Sequence, residues 1–292
     1  MQIKYLRNTA IDYLRWDRCI MQSINPLAYA YSWYLDIVSP GWEALVSDEY
    51  EYIMPLPLKS KYKITYLVQP ILTQQLGIFS KHIIDEKIID EFVKEIPYYS
   101  YEINLNEQNI YPNALIFPNL LLNLQSSYKQ IASLYSKNNQ RNIEKAAKLN
   151  LEVQSNLSIE DFINFYNSVE RHFVSVQLSI LEKLIEKGIS ENAITLYGVF
   201  SATHKLIAAL CLLHSPNRIT YLLPVSNSEG KASSAMFLLI DKLICQEAGR
   251  NKVFDFEGSR IEGIARFYRG FGAKNHPYYI LKRLRPTFLI NK

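Results

Sequence analysis

The stretch FDFEGSRIEGIARFYRGFGA, from Phe254 to Ala273, places reactive side chains around one predicted strand-to-helix turn. Glu257 follows the apolar strand, and Gly258 and Ser259 follow Glu257 directly. Acyl transfer to an amine needs an oriented nucleophile, a proton acceptor or donor, and stabilisation of an oxyanion. A carboxylate at the C-terminal end of a strand, beside a turn that lets backbone approach a ligand, suits these tasks. The stretch is therefore the first candidate for a catalytic site.

Two roles are open for the acid in this turn. Glu257 either accepts the amine proton or holds a cationic substrate, or it forms an ion pair with Arg260 or Arg266. Strand alternation predicts that Glu257 shares a face with Asp255. Ser259 either faces the ligand or caps the following helix. Arg260 could also bind a carboxylate or a phosphate.

A second polar candidate lies in the first half, in the segment PILTQQLGIF. Thr73, Gln74 and Gln75 stand there among apolar residues. Buried amides without partners cost free energy, so these side chains either bond to loop backbone or line a polar cleft. In the second case, Trp33 and Tyr34 would wall that cleft.

Composition bounds the class of protein. The chain has 292 residues, 48% of them hydrophobic and 21% charged, which fits a globular protein of one large or two ordinary domains. The net charge of +4 is too small to indicate nucleic-acid binding by itself. The cysteines and histidines lack metal-ligand spacing, so we expect no metal site.

Cysteine usage and hydropathy bear on location. Cys211 and Cys245 lie in apolar runs and are predicted to be buried thiols, which indicates a reducing compartment. The N-terminal segment has no signal-peptide core, and no run of apolar residues reaches the length of a membrane span. We therefore expect a cytoplasmic protein without a membrane span.

Hydrophobic periodicity predicts the order β-α-α-β-β-β-α-β-α-β for the second half. The predicted strands are LEVQS, AITLYGVFSA, KLIAALCLLH, RITYLLPVS, KVFDFEG and PYYILKRL. The predicted helices are SIEDFINFYNSVERH, capped by Ser158, SILEKLIEKG, a segment over 232–247, and EGIARFYRG. Short polar separators between the central strands predict hairpins.

The first half partly repeats this order, as α-α-β-β-β-α-β-β. Its predicted helices are 11–20, YSWYLDIV and DEKIIDEFVKEI, and its predicted strands are WEALVS, YEYIMPLPL, ITYLVQP, YYSYEINL and ALIFPNLLLNL. A polar connector, SSYKQIASLYSKNNQRNIEKAAKL, follows as a helix with a break predicted at Asn138 and Asn139. We therefore predict two similar domains, 1–149 and 150–292.

The element order of the second half resembles the GNAT fold of acyltransferases. Two such units in tandem resemble the Fem family, the aminoacyltransferases that build peptidoglycan bridges, and its uncharacterised bacterial relatives. The resemblance rests on QRNIEKAAKLNLEV, on FDFEGS followed by ARFYRGFGA, and on SWYLDIVSPGWEALV with PILTQQLGIFS. It implies an α/β (α+β) fold of two tandem GNAT-like domains, each a mixed, mostly antiparallel sheet flanked by helices.

The resemblance also implies site residues. GNAT enzymes often carry a tyrosine in the helix after the fifth strand that protonates the leaving thiolate. Tyr268 resembles it, although its spacing to Phe271 is shorter. Tyr221, in the strand RITYLLPVS, joins the substrate-binding set with Ser259 and Arg260.

The chain departs from the GNAT pattern where acyl-CoA would bind. Enzymes of that kind carry an Arg/Gln-x-x-Gly-x-Gly/Ala loop after the fourth strand, whereas this chain has SNSEGKASSA with one glycine. A pyrophosphate is held by N–H donors from a close loop and a helix N-terminus. The candidate cofactor-binding residues are Gly230, Lys231, Ser233 and Ser234. The alternative is a simple helix cap by Ser226 or Ser228.

The leading hypothesis is an acyl- or aminoacyl-transferase that uses Glu257 and Tyr268 as catalytic residues. Its acceptor would be a small-molecule or peptide amine in the groove between the two halves. One alternative is a non-catalytic binding module for a peptide or carboxylate ligand. A third hypothesis is an aminoacyl-tRNA donor, although the chain has no room for the helical hairpin that Fem proteins insert.

Overall fold

The structure is a computed structural model of the chain, and it describes residues 1–169 and 176–283. The last three residues of the predicted helix SIEDFINFYNSVERH, 170–172, lie outside the described residues. The last residue of the predicted strand PYYILKRL, Leu284, also lies outside them. Within the described part, no helix is both long enough and apolar enough to cross a membrane.

The strands and helices follow in chain order. The strands are β1 Ile3–Leu6, β2 Glu43–Ser47, β3 Tyr52–Leu56, β4 Leu58–Lys61, β5 Ile64–Val68, β6 Phe79–Ser80, β7 Tyr101–Asn104, β8 Leu115–Phe117, β9 Leu120–Asn123, β10 Glu152–Ser155, β11 Ile194–Phe200, β12 Leu206–Ser215, β13 Arg218–Ser226, β14 Val253–Asp255, β15 Lys274–Asn275 and β16 Tyr278–Arg283. The helices are α1 Tyr13–Gln22, α2 Ser32–Val38, α3 Glu86–Lys94, α4 Tyr128–Ala132, α5 Lys137–Ala147, α6 Ile159–Ser168, α7 Leu178–Ser190, α8 Ser228–Ala232, α9 Ala235–Glu247 and α10 Glu262–Arg269.

The chain forms two compact units. The first contains Met1–Phe117 and the C-terminal strand β16, and the second contains Pro118–His276. These limits differ from the predicted division at Leu149. The polar connector that suggested that division packs within the second unit: Asn139 of α5 donates to the Phe267 carbonyl at 3.1 Å. Its polarity therefore reflects an exposed helix face.

Among its described residues, the first unit contains two sheets. One has the order β1-β2-β3-β6 with antiparallel pairs, and the other has the order β4-β5-β7-β16-β8 with β5 and β7 parallel. The sequence analysis missed strands β1, β4 and β6. Of these, β1 gives the first unit the initial strand of the order predicted for the second half. Its alternation is weak because its central residues are exposed. A core around Leu45, Phe92 and Ile103 lies within this unit.

The second unit is built on one sheet with the order β10-β11-β12-β13-β14-β9-β15. The β13–β14 pair is parallel, and the other pairs are antiparallel. Helix α6 begins as predicted, because the Ser158 hydroxyl accepts from the Asp161 N–H at 3.0 Å. The predicted strands and helices of this half occur in the predicted order, and two short elements were not predicted: helix α8, in the segment predicted as a loop, and strand β15.

The run ALIFPNLLLNL was predicted as one strand, and that prediction is wrong. Pro118 has no N–H and interrupts the ladder, so β8 ends at Phe117 and β9 begins at Leu120. Strand β8 pairs with β16 in the first unit, whereas β9 lies between β14 and β15 in the second. Each unit thus includes one strand that the sequence analysis assigned to the other half.

Two smaller predictions also need correction. The connector breaks before Lys137 rather than at Asn138 and Asn139, because the Ser136 hydroxyl caps α5 by accepting from the Asn139 N–H. Cys211 is buried as predicted, but Cys245 is exposed, since it lies on the outer face of α9.

We expect Leu281→Ala to destabilise the first unit by about 2 to 5 kcal/mol, the usual cost of truncating a buried leucine. Leu281 is 6% exposed and lies opposite Ile103 in the sheet. Urea denaturation measures the loss, and native-state hydrogen exchange should place it at β7 and β8 while β11 to β13 keep their protection. The matched control is Lys282→Ala on the exposed face. Equal losses in both variants would contradict a core role for β16.

Candidate active site

The candidate site forms where β13 and β14 diverge. Their parallel ladder pairs Arg218 with Val253 and ends at Thr220 and Asp255. Strand β13 continues to Ser226 and, among the described residues, pairs there with β12 only. A gap therefore opens beside the second half of β13, on the side away from β12.

A β-bulge lies at the start of this gap. On β12, Leu212 pairs with Tyr221 and Cys211 pairs with Leu223, so Leu222 is an extra residue in β13. A bulge bends its strand and increases its twist, and bulges are frequent beside active sites. The extra residue thus provides the local reason why β13 leaves β14.

The backbone of β13 beyond the bulge faces the gap at two positions. The Asn227 N–H donates to the Ile207 carbonyl at 3.2 Å, which identifies the hydrogen-bonded pairs of this ladder. Pro224 and Ser226 then occupy the intervening pairs, whose backbone groups point away from β12. Pro224 costs no ladder bond there, because the N–H that it lacks would face the gap.

The turn after β14 holds the predicted acid. Phe256 still pairs through its N–H with the Leu120 carbonyl, and Glu257 then adopts φ +60° and Gly258 φ +85°. The prediction that Glu257 shares a strand face with Asp255 is wrong, because β14 ends at Asp255. Instead, the Asp255 carboxylate accepts from the Glu257 N–H at 2.8 Å.

Gly258 and Ser259 shape this turn. A Cβ at Gly258 would lie 2.3 Å from the Pro118 carbonyl oxygen, so only glycine combines this φ with this close approach. The Ser259 hydroxyl accepts from the Ile261 N–H at 3.0 Å, and α10 begins only at Glu262. Ser259 therefore braces the turn and is not the helix cap.

Two tyrosines lie beside the acid. Tyr268 of α10 stacks on Phe256 with ring centroids 4.8 Å apart, and Tyr221 of β13 meets Tyr268 edge to face at 5.8 Å. Burial, and after it the charge of Glu257, raises the pKa of Tyr268. Burial, and after it Tyr268, raises the pKa of Tyr221 well above its usual value. Both phenols therefore keep their protons at neutral pH.

The structure brings these three predicted residues together, and Ser259 and Arg260 lie in the same turn as Glu257; the other predicted residues lie elsewhere. Arg260 is exposed at the edge of the turn. The sequence analysis missed Arg218, whose guanidinium lies 2.6 Å from the Asp255 carboxylate, with both side chains buried. A charged residue beginning one apolar strand and another ending the next was the available signal for this pair.

The predicted cofactor-binding residues lie at the α8–α9 junction and are mostly turned inward. The cap of α8 is Asn227, whose side chain accepts from the Gly230 N–H at 2.8 Å, so the predicted caps Ser226 and Ser228 are wrong. A Cβ at Gly230 would lie 2.1 Å from the Ile207 carbonyl oxygen, which explains this glycine by helix-to-strand packing.

The remaining residues of this set have internal partners or face outward. Ser233 donates to the Glu229 carbonyl at 2.8 Å, and Ser234 donates to the Asn142 side chain at 2.8 Å. Lys231 is exposed. A pyrophosphate needs converging free donors. These residues do not fit the pyrophosphate of acyl-CoA in this arrangement.

The polar residues predicted in the first unit form a loop network. The Gln75 side chain is fully buried, accepts from the Glu107 N–H at 3.0 Å and donates to the Gln74 side chain at 2.7 Å. Thr73 donates to the Ile71 carbonyl at 3.2 Å. These bonds match the alternative in which the amides hold loop backbone.

The aromatic residues predicted to wall the cleft hold the same loop. The Tyr34 hydroxyl donates to the Leu72 carbonyl, and Trp33 packs edge to face on Tyr34 with ring centroids 5.4 Å apart. Among the described residues, no group of three or more His, Cys, Asp or Glu side chains is arranged to hold a metal ion.

Comparison with known proteins defines the fold. The chain is similar to the crystal structure of FemX, with a TM-score of 0.67, 11% identity, and coverage of 99% of this chain and 98% of that one. It is similar to the C-terminal domain of a putative lysylphosphatidylglycerol synthetase from Agrobacterium fabrum, with a TM-score of 0.56, 11% identity, and coverage of 94% and 92%. It is also similar to a tandem GNAT protein from the clavulanic acid biosynthesis pathway, with a TM-score of 0.52, 10% identity, and coverage of 98% and 100%.

No protein-family model matches the sequence, and no curated protein matches it significantly. The structural likenesses confirm the predicted fold class: the chain has a Fem-like tandem GNAT fold, with mixed and mostly antiparallel sheets flanked by helices. At this level of identity they define the fold and do not specify a substrate.

The strain at Glu257 gives a test of the site that needs no substrate. A left-handed backbone costs a residue with a Cβ about 1 to 2 kcal/mol, and glycine avoids that cost. We expect Glu257→Gly to be more stable than Glu257→Gln by about 1 kcal/mol, less the entropy that glycine adds to the unfolded chain. Urea denaturation of the two variants measures the difference.

The control is the same pair of substitutions at Glu262, in the first turn of α10. Glycine weakens a helix, so Glu262→Gly should be the less stable variant there. If Glu257→Gly were likewise less stable than Glu257→Gln, the backbone of Glu257 would not be strained.

Proposed function

We propose that the protein is an N-acyltransferase that moves an acyl or aminoacyl group from a donor to an amine acceptor. The observation that carries this proposal is the convergence of Glu257, Tyr268 and Tyr221 at the gap between β13 and β14. An acid, a protonated phenol and open strand backbone are the parts that acyl transfer to an amine requires. The fold adds weight, since its structural neighbours include FemX and a tandem GNAT protein.

The roles follow from charge. The Glu257 carboxylate accepts a proton from the amine nitrogen as that nitrogen forms its bond to the acyl carbon. Tyr268 keeps its proton at neutral pH, so it acts as the acid that protonates the leaving group when the bond between that group and the acyl carbon breaks. The amine thus loses one proton and the leaving group gains one.

Open backbone on β13 supports the placement of an extended substrate. The carbonyl of Pro224 and the N–H and carbonyl of Ser226 face the gap, where they can pair with an amide-bearing chain. Tyr221 closes the end of this edge beside Tyr268. We also propose that Ser259 and Arg260, at the outer rim of the same turn, bind the substrate.

We expect Tyr268→Phe and Glu257→Gln each to lower kcat by about 100-fold to 10,000-fold, the usual contribution of a general acid or base. Product is detected by mass spectrometry after incubation with amine acceptors and two donors, acetyl-CoA and charged tRNA. Tyr279→Phe, in β16 of the first unit, is the matched control and should leave kcat unchanged. Full activity in both site variants would contradict the proposed roles.

A donor with a polyanionic carrier is favoured by one further observation. Helix α5 and the residue that caps it expose four basic side chains at spacings of three and four residues: Lys137, Arg141 and Lys145 in the helix, and Lys148 at its C-terminal cap. Lys145 also donates to the Ala232 carbonyl at 2.6 Å. Glu144 is the acidic side chain of this helix. Such a stripe suits a phosphate backbone better than the inward-turned α8 suits a pyrophosphate.

We therefore expect tRNA binding that weakens as salt is raised, with a log–log slope that falls by about 0.7 to 0.9 for each phosphate contact removed. Lys137→Gln with Arg141→Gln should reduce that slope in fluorescence anisotropy titrations. Lys59→Gln with Lys63→Gln, in an exposed basic turn of the first unit, is the charge-matched control. Equal slopes in the two double variants would leave acyl-CoA or a small activated acid as the donor.

The alternative is a binding module that has lost catalysis. The inward-turned α8 supports it, because the module would need no cofactor. A ligand that raises the melting temperature without forming product from any donor would favour the module.

A further inference from the structure

A buried ion pair lies directly beneath the Glu257 turn. Asp255 is fully buried and Arg218 is 4% exposed, and their nearest nitrogen and oxygen atoms are 2.6 Å apart. Such pairs add little net stability compared with packed apolar side chains, because both charges lose their hydration. Stability alone therefore does not explain why two apolar strands carry this pair.

The two carboxylate oxygens of Asp255 have separate tasks. Oδ2 receives the Arg218 guanidinium, and Oδ1 accepts the N–H of Glu257 at 2.8 Å. A guanidinium fixes the orientation of a carboxylate better than an ammonium does. Arg218 therefore holds Oδ1 at the place where it meets the backbone of the turn.

The turn is also fixed on its far side. Gly258 lies so close to Pro118 and Asn119 that even a methyl group would clash with their backbone. Glu257 thus stands between two anchored points, the Oδ1 atom of Asp255 and the packed Gly258. Its left-handed φ persists because both neighbours are held, since such a conformation is unfavourable for a residue with a Cβ.

The direction of the Glu257 side chain matters for the proposed site. After burial, its charge is the second cause that raises the pKa of Tyr268, whose ring packs against the rings of Tyr221 and Phe256. A change in the turn would move the carboxylate relative to this phenol. The proposed proton transfers depend on the position of this carboxylate, and the ion pair holds the backbone from which it extends.

We propose that Asp255 and Arg218 are positioning residues, and that the arginine-held carboxylate of Asp255 fixes the left-handed turn that directs Glu257 toward Tyr268. This inference rests on the proposed function for the role of Glu257. Asp255 and Arg218 themselves are buried and take no part in proton transfer.

The test measures the coupling between Glu257 and position 268 in the full chain. 3,5-Difluorotyrosine is incorporated at position 268, and its pKa is followed by fluorine NMR. Glu257→Gln should lower that pKa in the native background, because a negative charge is lost. The same substitution is then made with Arg218→Met and Asp255→Leu, which preserve volume and remove both charges.

If the pair positions Glu257, the pKa change caused by Glu257→Gln falls to less than half in the Arg218→Met/Asp255→Leu background. Arg218→Lys, which keeps the charge but loses the planar fork, serves where the double variant fails to fold, and it should also reduce the change. A structural role would lower the melting temperature and leave the coupling intact. An undiminished coupling, or no coupling in the native background, overturns the proposal.

The outcome is separable from that of the proposed function. Coupling that is lost as expected, together with full acyl-transfer activity of Glu257→Gln, would uphold the positioning role and remove the catalytic one. Loss of activity with undiminished coupling would do the reverse. The thermal melting of each variant is recorded so that folding and coupling are read independently.

Discussion

The end of the parallel ladder between β13 and β14 is the constraint on which the candidate site depends. The ladder ends at Thr220 and Asp255, and each strand then changes direction for its own reason. Strand β13 bends at the Leu222 bulge, and the segment after β14 turns sharply at Glu257 and Gly258. The gap, the exposed β13 backbone and the acid beside Tyr268 all follow from this one separation.

The separation depends in turn on a strand from the first half of the sequence. Strand β9 pairs with β14, and the residues just before it, Pro118 and Asn119, form the surface against which Gly258 packs. A fragment that begins at residue 150 would lack both the ladder partner of β14 and the support for the turn. The site is therefore a property of the longer unit, Pro118–His276, even though its proposed catalytic residues lie within 20 positions of each other.

Local patterns in the sequence were sufficient for the elements around the site and insufficient for its geometry. The apolar strand before Glu257, the helix with Tyr268 and the glycine between them were predicted, because each has a signal within a few residues. The left-handed backbone of Glu257 was not, since the signal for such a turn is glycine and the glycine follows one position later. The bulge at Leu222 has no local signal among neighbouring leucines, because it is defined by its partner strand.

The exchange of strands shows the same limit. Pro118 was a readable sign that ALIFPNLLLNL is interrupted, yet nothing near it specifies that the two pieces enter different sheets. The exposure of Cys245 was missed for a related reason. Cys245 lies in an apolar run with Leu243 and Ile244, but only those two residues lie on the buried face of α9.

The hydrogen-bonding character of the gap favours an amine over a carbonyl-rich ligand at its inner end. Pro224 presents a carbonyl without an N–H, and Glu257 presents a carboxylate. A ligand beside these two groups gains by offering N–H donors, and it would leave acceptors unpaired if it offered carbonyls. Ser226, farther along the edge, supplies the first backbone N–H that faces the gap, so a substrate carbonyl pairs best there. Under the proposed function, the same strand edge would distinguish the two ends of a bound chain, with the nitrogen at the acid and the carbonyl toward α8.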